Sequence, residues 1–198
     1  MTVLELITGR LARRLAGAVP AMTGLEAVNE AVRVIGLELV RRKSDLAQQE
    51  ISLNFTLGAT YQTLPDGFMG LIDHPVLEGG AELKVLPDMG TGLELRESTG
   101  TPEYYSREGS VLWLWPAPAA AAVVQARVKI VPVLEAADDL PWGGLFDNLV
   151  VESAARLSTD GFLVTVDPAF VAMVDRGVSS VLVPRMNPLP RVRPISYF

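Results

Sequence analysis

The chain has no cysteine and a single histidine in 198 residues. The first absence excludes disulfides, thiol nucleophiles and thiolate metal sites. The second leaves His74 to stand alone, too little for the usual zinc centres. His74 lies in the turn-like Asp73-His74-Pro75, and no G-x-S-x-G occurs to offer it a serine nucleophile. Walker A and G-x-G-x-x-G patterns are missing too, and the Gly-x-Gly in Met89-Gly90-Thr91-Gly92 reads as a loop. Asp138-Asp139 precede Leu140-Pro141 and read as a solvated turn. The expectation is a protein that is not an enzyme, with no catalytic, cofactor-binding or metal-binding residues and no cofactor.

Long apolar runs are also missing. Pro116, Pro118 and Gln125 interrupt the longest, so no membrane span or membrane partner is expected. Near the N-terminus Glu5, Arg10, Arg13 and Arg14 are spread through apolar residues, unlike a signal peptide, which points to a reducing compartment. Basic charge is in deficit: the net charge is -6 and the pI about 4.9. That argues against general DNA binding, yet suits a wall that repels phosphate as DNA slides past.

What is plentiful is apolar residue, 49% of the chain against 20% charged, with a mean hydropathy of +0.29. The surplus points to a subunit interface or, equally, to an Ala/Val-rich core. The length allows one domain with two lobes or two small domains.

The stretch from Thr101 to Leu157 organises the rest. Val111–Trp115 is a β-branched and aromatic strand stopped by Pro116-Ala117-Pro118. Val123 to Val131 is a second strand, with Gln125, Arg127 and Lys129 alternating against apolar neighbours. A helix follows from near Gly144, with Phe146, Val150, Ala154 and Leu157 as its apolar stripe and a Glu152/Arg156 pair four apart.

Before this stretch come two helices. The first spans Val3 to Leu15, with Leu4, Ile7, Leu11 and Leu15 on one face and Arg10, Arg13 and Arg14 as a solvated end. The second starts at a Thr23/Glu26 capping box, carries Leu25, Val28, Val32, Ile35 and Leu39, and runs to about Gln48 with Arg41-Arg42-Lys43 as a solvated end. Strands follow at Ile51–Leu57, Tyr61 to Leu64, Phe68 to Ile72 and Glu82 to Leu86, with Pro65-Asp66-Gly67 as a turn. After a connector with Gly161, Asp167-Pro168 opens a last helix bearing Phe170, Val174 and Val178, which Pro184 ends. Residues 184–198, with prolines at 184, 188, 190 and 194, read as an extended arm.

The fold class is therefore α+β: a helical bundle lobe of two N-terminal and two C-terminal helices, an inserted small antiparallel β-sandwich or barrel, and an extended C-terminal arm. The expected divisions are 1–50, 51–140, 141–183 and 184–198. On the arm, Arg185, Arg191 and Arg193 supply charge, and Leu189, Ile195, Tyr197 and Phe198 supply anchors for docking.

In this order the elements resemble the head–tail adaptor (connector) proteins of tailed bacteriophages and phage-like gene transfer agents. Val28-Asn29-Glu30-Ala31 is similar to their "LNEA", and Leu64-Pro65-Asp66-Gly67-Phe68 to their "LPxDF"-like step. Pro102-Glu103-Tyr104-Tyr105 followed by Gly109, Leu112, Leu114, Pro116 and Pro118 is similar to their "P-x-Y-Y…G…L-x-P-x-P" run. Pro132, Leu134 and Leu140-Pro141 before a helix complete the likeness, which covers about residues 23 to 157. Trp113-Leu114-Trp115 is bulkier than the usual strand.

The resemblance implies a structural virion protein, made in the host cytoplasm and placed in the neck between capsid and tail. Its partners would be itself, in a ring (a dodecamer is typical), the portal protein, and tail or nozzle proteins. Genome DNA would pass through without specific binding. Helices would line or support the channel, with the β lobe outside and the arm reaching the portal. Two other readings stay open: a small-molecule-binding or enzymatic domain with a pocket near Trp113 and Trp115, and a tail-completion or collar protein of the same particle.

Overall fold

The structure, a computed structural model, describes residues 1–16, 18, 20–87, 95 and 98–186, without the side chains of 183–186. The chain is α+β and divides into two compact units, one of residues 1–39 and 134–198, the other of residues 40–133.

In the first unit, helix α1 is Val3–Glu5, continued in π form over Leu6–Leu11 and as α-helix over Ala12–Arg14. Thr2 and Glu5 form a capping box. The side chains it buries are Val3, Leu6 and Leu11, while Leu4 is exposed, which corrects the Leu4–Ile7–Leu11–Leu15 stripe. The cause is the π segment: bonds to i+5 widen the turn and rephase the apolar face.

Helix α2 (Gly24–Arg41) starts at the Thr23/Glu26 box, where each residue's backbone N–H is bonded by the other's side chain. Ala27, Val28, Ala31, Val32, Ile35 and Leu39 are buried along it. The helix stops seven residues short of Gln48. Lys43 turns left-handed (φ 55°), Ser44 caps a 3-10 turn over Asp45–Ala47, and Gln48 already belongs to a strand. A non-glycine residue in that conformation carries no stop signal in sequence.

Helix α3 (Asp147–Asp160) follows a 3-10 turn (Pro141–Gly144) in which Trp142 and Gly143 both have positive φ, so it begins three residues after Gly144. Phe146, Val150, Ala154 and Leu157 are buried as the spacing predicts. After a second 3-10 segment, Gly161–Val166, helix α4 (Pro168–Met186) opens with Asp167 accepting from the Ala169 amide. Phe170, Val174, Val178 and Leu182 are buried on it. Pro184 does not end α4, which runs to Met186, so an extended arm starting at 184 is corrected. Proline removes a donor, but its φ near −65° is helical, and one lost bond near a helix end leaves the turn intact.

The second unit holds the strands: β1 (Gln48–Phe55), β2 (Tyr61–Thr63), β3 (Phe68–Leu71), β4 (Val76–Leu77), β5 (Lys84–Val85), β6 (Thr99–Gly100), β7 (Tyr104–Glu108), β8 (Val111–Trp115), β9 (Ala117–Pro118) and β10 (Ala122–Ile130). They form a sheet in order β1-β10-β3, with β4 also on β10, a sheet in order β2-β8-β7-β5, and the pair β6-β9. β1 and β10 pair antiparallel from Gln48↔Lys129 to Phe55↔Ala122. The pairs β5/β7 and β6/β9 are parallel, which corrects an all-antiparallel body. Short bridging strands of two residues carry no alternation that sequence could reveal. One apolar cluster gathers Leu53, Phe55 and Val124 of the first sheet with Tyr105, Leu112 and Leu114 of the second.

Candidate interaction site

Strand alternation decides which side of the β2-β8-β7-β5 sheet is available. Leu112, Leu114 and Tyr105 point into the apolar cluster, so Trp113 and Trp115 point the other way. Register then adds Tyr61 and Ser106 beside Trp113, and Tyr104 beside Trp115. The Trp113 and Trp115 rings are 6.1 Å apart and nearly parallel along one strand, and Tyr61, across the strand from Trp113, lies 5.1 Å from it with its ring tilted by 45°. The Trp115 indole N–H donates to the Ser106 hydroxyl at 3.0 Å, so its polar edge is satisfied within the sheet. Tyr61 is 55% exposed and both tryptophans are half-buried. The arrangement is a stacked tryptophan pair flanked by a tilted tyrosine on an outer face, suited to apolar or cationic contact.

The other sequence-predicted residues lie elsewhere. Of the docking set, Arg185 falls in the last turn of α4, and Leu189, Arg191, Arg193, Ile195, Tyr197 and Phe198 lie outside the described residues, as does Met89-Gly90-Thr91-Gly92. His74 is exposed, and its Nδ1 sits 3.1 Å from the Tyr105 hydroxyl in a shallow hollow shared with Asp73 and Glu82. Burial, and then the charge of Glu82, push the Tyr105 phenol above its ordinary value, so it is a poorer acid than a free tyrosine. Among the described residues no cluster of three or more His, Asp or Glu could hold a metal ion, and no single helix is long and apolar enough to cross a membrane.

On the first unit, Arg10 Nη2 donates to Asn148 Oδ1 at 2.8 Å, and Arg14 pairs with Glu152. These two arginines are therefore tied to α3, not a purely solvated helix end, and Glu152 takes a partner from α1. Sequence spacing shows only pairs within a helix, so it offered Arg156. Sequence reasoning also missed a run of exposed apolar side chains after α3: Phe162 (61% exposed), Leu163 (82%), Val166 (77%) and Val171 (51%). The signal was present in the run Phe162-Leu163-Val164, which a solvated connector would not need.

The first unit is thus helical and the second mostly stranded, several polar side chains serve as caps and cross-links, and the aromatic rings lie on the outer face of their sheet. The chain belongs to the SU10 adaptor protein family, which it matches over residues 1–166. This agrees with the likeness to phage head–tail adaptors, and places the chain among structural adaptor proteins of the phage virion. No curated protein sequence matches it.

Proposed function

We propose that the chain is a head-to-tail adaptor that assembles as a ring, a dodecamer, beneath the portal in the neck of the virion. The ring joins the portal protein to tail or nozzle proteins and leaves a channel through which genome DNA passes without specific binding. In this reading the helices form one bundle lobe, the strands form an inserted β lobe, and the chain after α4 docks on the portal through Leu189, Arg191, Arg193, Ile195, Tyr197 and Phe198. It performs no catalysis and needs no cofactor.

The family match over residues 1–166 carries this reading. The exposed Phe162, Leu163, Val166 and Val171, close together in the chain, support self-association, since large apolar side chains left in water favour a partner surface. Imaging of particles carrying a labelled copy of the chain tests it. A symmetric ring between capsid and tail is expected, and label on the capsid shell or the tail tip would overturn it.

A further inference from the structure

Helix α1 carries opposite charge at its two ends. Its N-terminal end is wrapped by the loop of residues 135–139. The Val3 N–H bonds the Asp138 carbonyl at 2.9 Å, the Leu4 N–H the Ala136 carbonyl at 3.0 Å, and the Leu140 N–H the Met1 carbonyl at 3.1 Å. That loop exposes Glu135, Asp138 and Asp139. Asp138 Oδ2 accepts from the Glu135 N–H at 2.7 Å, which braces the loop. Asp139, its side chain 81% exposed, lies 3.7 Å from the Met1 amino group.

The other end of α1 is basic. Arg10, Arg13 and Arg14 share a shallow hollow of about 350 Å³ with Asn148, Val151 and Glu152 of α3. Asn148 holds Arg10 and Glu152 holds Arg14, each through one of the five donors that a guanidinium carries. Arg13 has no hydrogen bond or ion pair among the described residues. Three guanidiniums against one carboxylate leave the hollow with positive charge in excess, on a chain whose net charge is -6. Guanidiniums already fixed in place bind a planar carboxylate bidentately at little further cost in entropy. Phosphate fits the same fork, but a net-acidic chain repels a nucleic acid before contact.

On this charge complementarity, and resting on the ring reading above, we infer that the arginine hollow between α1 and α3 receives the acidic loop of residues 135–139 of a neighbouring copy. Glu135 pairs with Arg13, and the two aspartates meet the free donors of Arg10 and Arg14. Leu4, 53% exposed beside the loop, rests on Val151 of the neighbour and gives the contact an apolar part. The two surfaces lie at opposite ends of one helix, so the contact runs head to tail. It repeats from copy to copy until a ring closes. A reversed neighbour would set acid against acid, so charge also fixes the direction of assembly.

The absence of native cysteine makes the test clean. Arg13→Cys and Glu135→Cys are combined in the full chain, and particles carrying it are mildly oxidised. Residue 135 lies next to Ala136, which Leu4 bonds, and Arg13 is nine residues further along α1. That is roughly 13 Å at about 1.5 Å per residue, too far for a disulfide within one copy, whose Cα atoms must lie within about 7 Å. A ladder of covalent oligomers on a non-reducing gel is expected, with no band beyond a dimer in either single variant. Arg13→Glu alone should lower incorporation into particles about tenfold, and adding Glu135→Arg should restore most of it. Imaging of the same particles separates the two readings. A ring that yields no ladder overturns this contact and leaves the ring standing, and particles in which the chain forms no ring overturn both. Duplex DNA binding that falls in Arg13→Glu, with no ladder, assigns the hollow to phosphate and likewise overturns the contact.

Discussion

Asn29 holds the backbone of Leu134 by both edges of its amide: its Nδ2 donates to the Leu134 carbonyl at 2.9 Å, and its Oδ1 accepts from the Leu134 N–H at 2.8 Å. The two residues are 105 positions apart and both belong to the first unit. The next residue, Glu30, is buried and grips Arg33 through both carboxylate oxygens. That pairing, foremost by hydrogen bonding, holds the Arg33 guanidinium above its already high ordinary value. The Asn-Glu step that carries the family likeness is therefore a packing device. It ties the chain's return from the strands to α2.

Replacing Asn29 with Ala should cost about 2 kcal/mol, because it strands one donor and one acceptor of a buried backbone segment. Asn29→Asp keeps the acceptor and loses the donor, and should fall between wild type and Ala. Urea denaturation of the three proteins checks the order. Equal midpoints would show that water replaces both bonds.

Gly67→Ala should be more severe. Gly67 has φ 76°, and an added Cβ would lie 1.8 Å from the Val131 carbonyl oxygen, while the Val131 N–H bonds the Gly67 carbonyl at 2.9 Å. Backbone faces backbone, so no side chain can swing away. Left-handed strain and the clash together should cost at least about 2 kcal/mol. A melting temperature within a degree of wild type would contradict this.

Glu26 gives a pH dependence of known sign. The Thr23 backbone N–H and then its side chain hold the Glu26 carboxyl below its ordinary value of 4.5. A depressed folded-state value means that the cap's contribution is fully present above about pH 4.5. It is lost as pH falls through the lower, folded value. Glu26→Gln cannot ionise, so it should flatten this acid limb and lower stability at pH 7 toward the level that the wild type has in acid. Thermal unfolding between pH 3 and 7 reads the difference, and parallel curves for the two proteins would rule it out.

Much of this architecture was legible from residues. The capping box at Thr23, the stripe Phe146–Val150–Ala154–Leu157 and the Val111–Trp115 strand each rest on local chemistry, and each stands where its pattern puts it. Where the structure departs, the controlling interaction is remote or has no side-chain signature. The π segment in α1 shifts its buried face without changing composition, and Lys43 stops α2 without a glycine. Strand β7 was hidden because Tyr104–Glu108 pairs with β8 across a tight turn at Gly109 and lacks an apolar alternation of its own. The Tyr61–Trp113 contact joins residues 52 apart, and only strand register brings them together.

In the proposed ring, a net-acidic chain predicts a channel that releases DNA readily. With a net charge of -6, the purified assembly should bind duplex DNA weakly, with little dependence on salt between 50 and 200 mM. Fluorescence anisotropy of a labelled duplex measures this. Tight binding that collapses as salt rises would reveal a basic lining and overturn the sliding-wall reading.

The end of the chain carries the proposed portal contact. Deleting residues 187–198 leaves α4 whole to Met186 and keeps every buried core side chain of the described residues, so the truncated chain should keep its circular dichroism and melting temperature. It should nevertheless join far fewer filled heads, because most of the proposed docking residues are gone. Tyr197→Ala with Phe198→Ala is the finer cut, and should lower attachment to heads by about tenfold, the usual weight of aromatic anchors. Counting tailed and tailless particles by negative-stain imaging reads both. If the truncated chain joins heads at the normal level, the segment after α4 is a solvated tail and the portal-docking reading is wrong.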